Sequence, residues 1–249
     1  MLILLPPSET KRPGGRAWPL DAASLALPSL APQRAAVVEA LVALSADEDA
    51  AARVLKLGAT QRHEVAVNAA LRDAPTMPAI DRYTGVLYDA LDAASLPAAA
   101  RRWLGTHVRV HSAPFGPVGA LDAIPAYRLG AAASLPGLPS LKRVWADAVT
   151  AALAEEQPRF VLDLRSEAYV ALGPVPAGIP SAYVRVVAEA EGGAVRALNH
   201  FNKHAKGALV RRLAEGRPRV ASREGFVRWA DAAGLRVRDG AGGELELFA

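Results

Sequence analysis

At 249 residues, with 51% hydrophobic and 22% charged content, the chain can bury a substantial core and is too apolar to be disordered. It contains no cysteine, which excludes disulfides, thiolate catalysis, cysteine-ligated clusters and thiolate zinc sites, and its five histidines are too scattered for an imidazole-only metal centre. The formal net charge of +4 and a pI near 9.6 suit an anionic partner.

Leu2-Ile3-Leu4-Leu5 is a continuous apolar run stopped by Pro6 and Pro7, the pattern of a strand buried on both faces. No basic region precedes it and the prolines break it early, so it is not read as a signal peptide. No later stretch reaches the roughly 18 to 20 apolar residues of a membrane span. The expectation is a soluble, cytoplasmic protein with no membrane partner. From Pro6 to Gly15 the chain reads as a loop carrying Ser8, Glu9, Thr10, Lys11 and Arg12. That places polar side chains at the carboxyl end of a strand, where α/β sheets hold ligands. Residues 32–71 show helical spacing, with Asp47 as an N-cap. The mixed segment Ile80–Tyr88 leads to a second helical pattern, Leu91 to Leu104. Val108–Ser112 alternates as a strand, and the proline- and glycine-rich stretch Ala113–Gly119 reads as a loop.

Beyond Ile124–Leu129, the residues Leu141, Val144, Trp145, Val149 and Leu153 mark another helix. Phe160–Leu164 repeats the buried-strand signature and again delivers a polar group, Arg165, Ser166, Glu167 and Tyr169. Tyr183–Val187, a Glu191-Gly192-Gly193 turn and Val195–Phe201 read as a hairpin. A basic helix follows from about Lys203 to Glu215. Segments 235–237 and 244–248, around a glycine-rich turn, close the chain as a second hairpin. With no internal repeat, residues 1–249 are read as a single mixed α/β (α+β) domain, a mixed sheet flanked by helices.

Charge is concentrated near the end of the chain. Residues 196–238 hold eleven Arg or Lys against three acids, while the rest of the chain is net acidic. Such a window points to a phosphate-bearing partner.

The segments LILLPPSETK, DRYTGVLYDAL, HSAPFGPVGALDAIPAYRLG, LKRVW, VLDLRSEAY and FNKHAKGALVRRL follow one another in the order and spacing of motifs in the YaaA family, named for the peroxide stress protein of enteric bacteria. The resemblance spans Leu2 to Phe248. It implies one mixed α/β domain of an unusual fold, a basic cleft, affinity for double-stranded DNA through a helix-hairpin-helix element, and a role in limiting oxidative DNA damage. Its pattern falls on Ser8, Thr10, Lys11, Tyr83, Gly85, Tyr88, Ser112, Gly116, Asp122, Pro125, Tyr127, Arg128, Trp145, Ser166, Tyr169, Lys203, Lys206, Gly207 and Arg211. One departure is clear: enteric-type members have a loop resembling Leu-Tyr-Gly-Val-Leu-Arg-Pro where this chain has residues 114–120. The arginine is missing, and Pro117 has no N–H to offer a phosphate oxygen.

Two readings of the candidate residues follow. In the first, Lys11, Arg128, Lys203, Lys206, Arg211 and Arg212 contact DNA, with Lys203 and Lys206 sharing a helix face that Arg211 extends into a stripe. Gly207 within that helix costs about 1 kcal/mol against alanine, so a close approach by another backbone or a ligand is expected there. In the second, Ser8, Thr10, Tyr88, Ser112, Asp122, Tyr127, Ser166 and Tyr169 converge with Lys11 and Arg128 on a pocket for a nucleobase or nucleotide-like ligand. An internal ion pair between Asp122 and Arg128 is the structural alternative. His200 and His204 are i, i+4, but Phe201 stands where a zinc-protease helix has glutamate, so no metal site is expected. No Walker loop, dinucleotide fingerprint or nucleophile elbow is present, no cofactor is implied, and enzyme and binding protein stay open.

Overall fold

The computed structural model describes residues 1–16, 18–189, 195–197 and 201–248. Its strands are β1 (Leu2–Leu5), β2 (Met77–Pro78), β3 (Val108–Ser112), β4 (Gly116–Gly119), β5 (Ala123–Ile124), β6 (Val161–Asp163), β7 (Ser181–Glu189), β8 (Val195–Ala197), β9 (Val237–Asp239) and β10 (Leu245–Phe248). Eight of them form one mixed sheet in the order β4-β3-β1-β6-β7-β10-β9, with β8 paired to β7; β2 and β5 make a separate two-stranded ribbon. The apolar run of β1 lies inside this sheet, parallel to β3 on one side and β6 on the other. Every one of its residues is buried, so no polar face is needed and none is encoded.

Helices α1 (Ala31–Leu44), α2 (Glu48–Val54), α3 (His63–Ala69), α4 (Ala79–Arg82), α5 (Val86–Leu91), α6 (Ala98–His107), α7 (Leu141–Glu156), α8 (Glu167–Val170), α9 (Phe201–Gly216) and α10 (Arg223–Ala232) flank the sheet. No helix of the described residues is long and apolar enough to cross a membrane. Local chemistry sets their starts. Asp47, Ser140 and Ser222 each accept a backbone N–H of the first turn of α2, α7 and α10, which satisfies a donor that helix geometry leaves free. Leu141, Trp145, Val149 and Leu153 repeat at i+4 and are buried, so α7 turns one apolar stripe to the core.

Three sequence expectations need correction. The helix expected over 91–104 is broken: Asp92 turns into the left-handed region at φ 44, and Pro97 precedes α6, since proline cannot extend the preceding turn and holds Leu96 extended. The expected loop 113–119 contains β4, antiparallel to β3 with Pro117 opposite His111. Because β4 is an edge strand, the missing proline N–H is tolerated there. Residues 114–120 are therefore turn and strand, not a hairpin between two helices. Finally, of the strand expected over 195–201, β8 covers Val195–Ala197 and Phe201 instead opens α9; residues 198–200 lie outside the described residues. Both hairpins form, β7 with β8 and β9 with β10; the Glu191-Gly192-Gly193 turn and His200 lie outside the described residues. α10 is a second helix within the basic window.

Candidate functional site

Strand β1 ends in Pro6 and Pro7, and the chain then folds back against the turn before α5. Lys11 makes a single antiparallel bridge with Tyr83, Arg12 N–H donates to Arg82 C=O at 2.8 Å, and Thr84 N–H donates to Thr10 C=O at 3.2 Å. Beneath this loop Arg82 is fully buried. Its guanidinium donates to the carbonyls of Ile124, Arg12 and Pro75, and no carboxylate among the described residues touches it. Burial lowers its pKa to about 10, so it stays a cation that fixes three backbone segments with charge-assisted hydrogen bonds.

Lys11 extends from this loop over two tyrosine rings. Its Nζ sits 4.0 Å from the Tyr127 ring centroid and 5.5 Å from that of Tyr83, and donates to the carbonyls of Ser8 at 3.0 Å and Glu9 at 3.2 Å. The two phenols hydrogen-bond each other at 2.8 Å; Tyr88 stacks on Tyr83 and donates to Pro6 C=O at 2.7 Å. Burial pushes all three phenols well above the usual tyrosine value. Burial also brings the Lys11 amine down to about 7, with Glu64 and Glu9 opposing the shift and Arg128 and Arg82 adding to it. The rings attract an ammonium, but loss of water outweighs that attraction.

In front of Lys11 opens a cavity of about 440 Å³, bounded by Ser8, Lys11, Leu55, Arg128 and Tyr169 among others. Arg128 is held by its backbone: the Asn68 amide accepts Arg128 N–H at 2.7 Å and donates to Arg128 C=O at 2.9 Å. Its guanidinium meets Glu9 at 3.3 Å, a side chain 81% exposed. That pair is weak and easily displaced.

Past β6, Asp163 and Arg165 form a buried bidentate ion pair with contacts of 2.9 and 2.6 Å. Arg165 also donates to Gly173 C=O and to His111 Nδ1, both at 2.9 Å. His111 is held well below the usual imidazole value by burial and then by Arg165; it is neutral, with its proton on Nε2. The one-turn α8 follows and divides the carboxyl edge. Ala168 and Tyr169 face the first cavity; Glu167, Val170 and Ala171 face a second, of about 490 Å³, with Asp163, Tyr183, Arg185 and Glu244. Beside this second space Lys206 of α9 is buried, its Nζ 5.2 Å from the Tyr183 centroid. Burial lowers its pKa to about 8, with Asp163 and Glu244 opposing the shift.

Comparison with known proteins identifies the relatives. Residues 1–239 match the family described as Peroxide stress protein YaaA. The chain belongs to this family. A UPF0246 protein of Corynebacterium efficiens is 46% identical over 243 residues, covering 95% of this chain and 94% of the relative. One of Corynebacterium glutamicum is 44% identical over 243 residues, covering 96% and 95%. One of Streptomyces coelicolor is 45% identical over 219 residues, covering 86% and 82%.

The residues that resemble the YaaA family pattern do not all share one space. Ser8, Lys11, Arg128 and Tyr169 line the first cavity, with Tyr127 and Tyr83 beneath the lysine and Tyr88 buried behind them. Ser112 is buried and accepts Phe115 N–H at 3.3 Å. Thr10 is exposed and bonds Thr84 C=O. Asp122 accepts Gly119 N–H and Ala26 N–H, both at 2.7 Å; it pins a loop through backbone groups and does not pair with Arg128. Ser166 is exposed at the start of α8. On α9 the expected stripe is divided: Lys203 is exposed and Lys206 buried. Arg211 is bound to Leu91 C=O, Asp92, Ser95 and Glu215, and Arg212 donates to Ala233 C=O. Gly207 explains itself: a Cβ there would lie 2.1 Å from Leu87 C=O, so α9 crosses α5 at backbone contact. Asn68, Arg82, His111 and Asp163 escaped sequence reasoning. The one legible hint was Asp163, an acid inside an apolar run that requires a buried partner.

Proposed function

We propose that the protein acts in the response to hydrogen peroxide by binding double-stranded DNA and limiting iron- and peroxide-driven damage to it. The observation that carries this reading is how folding treats the cations of residues 196–238. Arg211, Arg223 and Arg238 are committed to ion pairs. Lys203, Arg217, Arg219 and Arg228, on α9, the turn after it and α10, are exposed and have no ion pair or side-chain hydrogen bond among the described residues. Cations without internal partners are the ones free to replace counterions on a phosphate backbone. Family membership supports the stress role. Fluorescence anisotropy of a labelled duplex across a salt series tests the proposal. Log affinity should fall by roughly 0.9 per phosphate neutralised, and Arg217→Ala with Arg219→Ala should reduce that slope by about 1.8. A salt-independent or undetectable interaction overturns it.

A second reading, a pocket acting on a nucleobase or nucleotide, is favoured by the 440 Å³ cavity at the carboxyl edge of β1 and β6. Its volume fits a small ligand, Arg128 suits a phosphate, and Tyr169 offers a ring for a base. Equilibrium dialysis with nucleotides tests it, with Arg128→Ala expected to abolish retention while the circular dichroism stays unchanged.

A further inference from the structure

We propose that Lys11 is an amine nucleophile that forms a Schiff base with a phosphorylated aldehyde entering the first cavity, Arg128 holding the phosphate. The inference deepens the second reading above and rests on its placing of the ligand in this cavity. Four features of the site support it.

The amine borders the cavity, and its two hydrogen-bond acceptors are the backbone carbonyls of Ser8 and Glu9. Two acceptors match the two N–H groups of a neutral amine. Among the described residues no carboxylate touches Nζ, whereas an ion-paired lysine would keep its third proton. The tyrosine floor supplies dry surroundings, and Arg128 and Arg82 supply like charge against the opposing Glu64 and Glu9; desolvation and like charge are the two conditions that free a lysine lone pair near neutral pH. Burial accordingly holds the amine near 7. Finally, Arg128 stands on the same cavity wall, its partner among the described residues the exposed Glu9, and arginine presents a planar fork that fits phosphate.

The reaction balances without a further reagent. The lysine nitrogen adds to the carbonyl carbon, and a proton passes from nitrogen to the former carbonyl oxygen, giving a carbinolamine. The hydroxyl departs as water and a C=N bond replaces C=O. Nothing is oxidised or reduced. The phosphorylated aldehyde has two sources with the same chemistry, a free sugar phosphate and the ring-opened deoxyribose of an abasic site in DNA.

Trapping with sodium cyanoborohydride separates them. The full-length protein is incubated with reductant and either 2-deoxyribose 5-phosphate, a duplex carrying one abasic site, or a duplex carrying the aldehyde-free tetrahydrofuran analogue. Peptide mass spectrometry should locate on Lys11 a mass gain equal to that of the carbonyl compound less one oxygen. The analogue should give none, and Lys11→Met should lower trapping at least tenfold. Adduct only with the duplex assigns DNA as the source; adduct only with the sugar phosphate assigns a metabolite. Mapping in the wild-type protein keeps the test decisive even where the Lys11 variant folds poorly. No adduct in either arm, or an adduct centred on Lys56 or another lysine, overturns the proposal. Nucleotide retention by dialysis without reductant is read separately, so a cavity that binds ligand without trapping sinks the Schiff base alone. A cavity that holds nothing sinks the pocket reading.

Discussion

Lys11 lines the cavity on one side of α8, Lys206 packs over Tyr183 of the cavity on the other, and their surroundings differ. Around Lys11 the amine meets carbonyls and tyrosine rings; Glu64 and Glu9 oppose its desolvation while Arg128 and Arg82 add to it, and it falls to about 7. Around Lys206, Asp163 and Glu244 offset part of the desolvation, Arg185 adds to it, and the amine stays near 8. Burial alone does not set the chemistry; the balance of charges in reach decides how much of the ammonium survives. Burial lowers both amines, and lowers Lys11 further.

The strongest way to break this contrast is to remove the ion pair that anchors the second side. Arg165→Met strands the buried carboxylate of Asp163, and should cost about 3 to 5 kcal/mol in urea denaturation, with most of the loss recovered in the Asp163→Asn, Arg165→Met double variant. A loss below 1 kcal/mol would show that Asp163 is hydrated. Gly207→Ala comes next: its Cβ would strike Leu87 C=O, so despite better helix propensity the variant should lose roughly 1 to 3 kcal/mol, and a gain in melting temperature would mean α9 does not cross α5 so closely.

Comparing each lysine with its methionine variant across pH sharpens the contrast. Both folded-state values lie below the usual 10.5, so the unfolded chain binds the extra proton between the two values and the lysine's penalty disappears as pH rises. Wild type should therefore gain on Lys11→Met from pH 7 upward, by up to about 1.4 kcal/mol per pH unit. The gain over Lys206→Met should begin a unit later. Identical curves would erase the distinction between the cavities. The smallest effect belongs to Glu9→Gln, which removes an exposed partner of Arg128 and should shift stability by less than about 1 kcal/mol.

Much of this was legible in advance. The buried strands 2–5 and 160–164, the caps at Asp47, the close approach at Gly207 and both terminal hairpins follow from local patterns, as do Lys11 and Tyr169 on polar loops after buried strands. The basic window misled in a specific way: a stripe at helical spacing looks exposed, yet Lys206 turns inward and Arg211 serves α5, since which face of a helix is buried depends on what packs against it. Asn68 and Arg82 were invisible because their partners, Arg128 and Ile124, lie 60 and 42 residues away.

The amino-acid order by itself determined the family, the mixed α/β class and the two loops that carry polar groups to one sheet edge, because strand burial and turn chemistry are short-range properties. Only the tertiary structure decided that α8 splits that edge in two, and which charges surround each lysine. Those outcomes depend on desolvation and on charges brought together from distant segments, and neither quantity exists until the chain has folded.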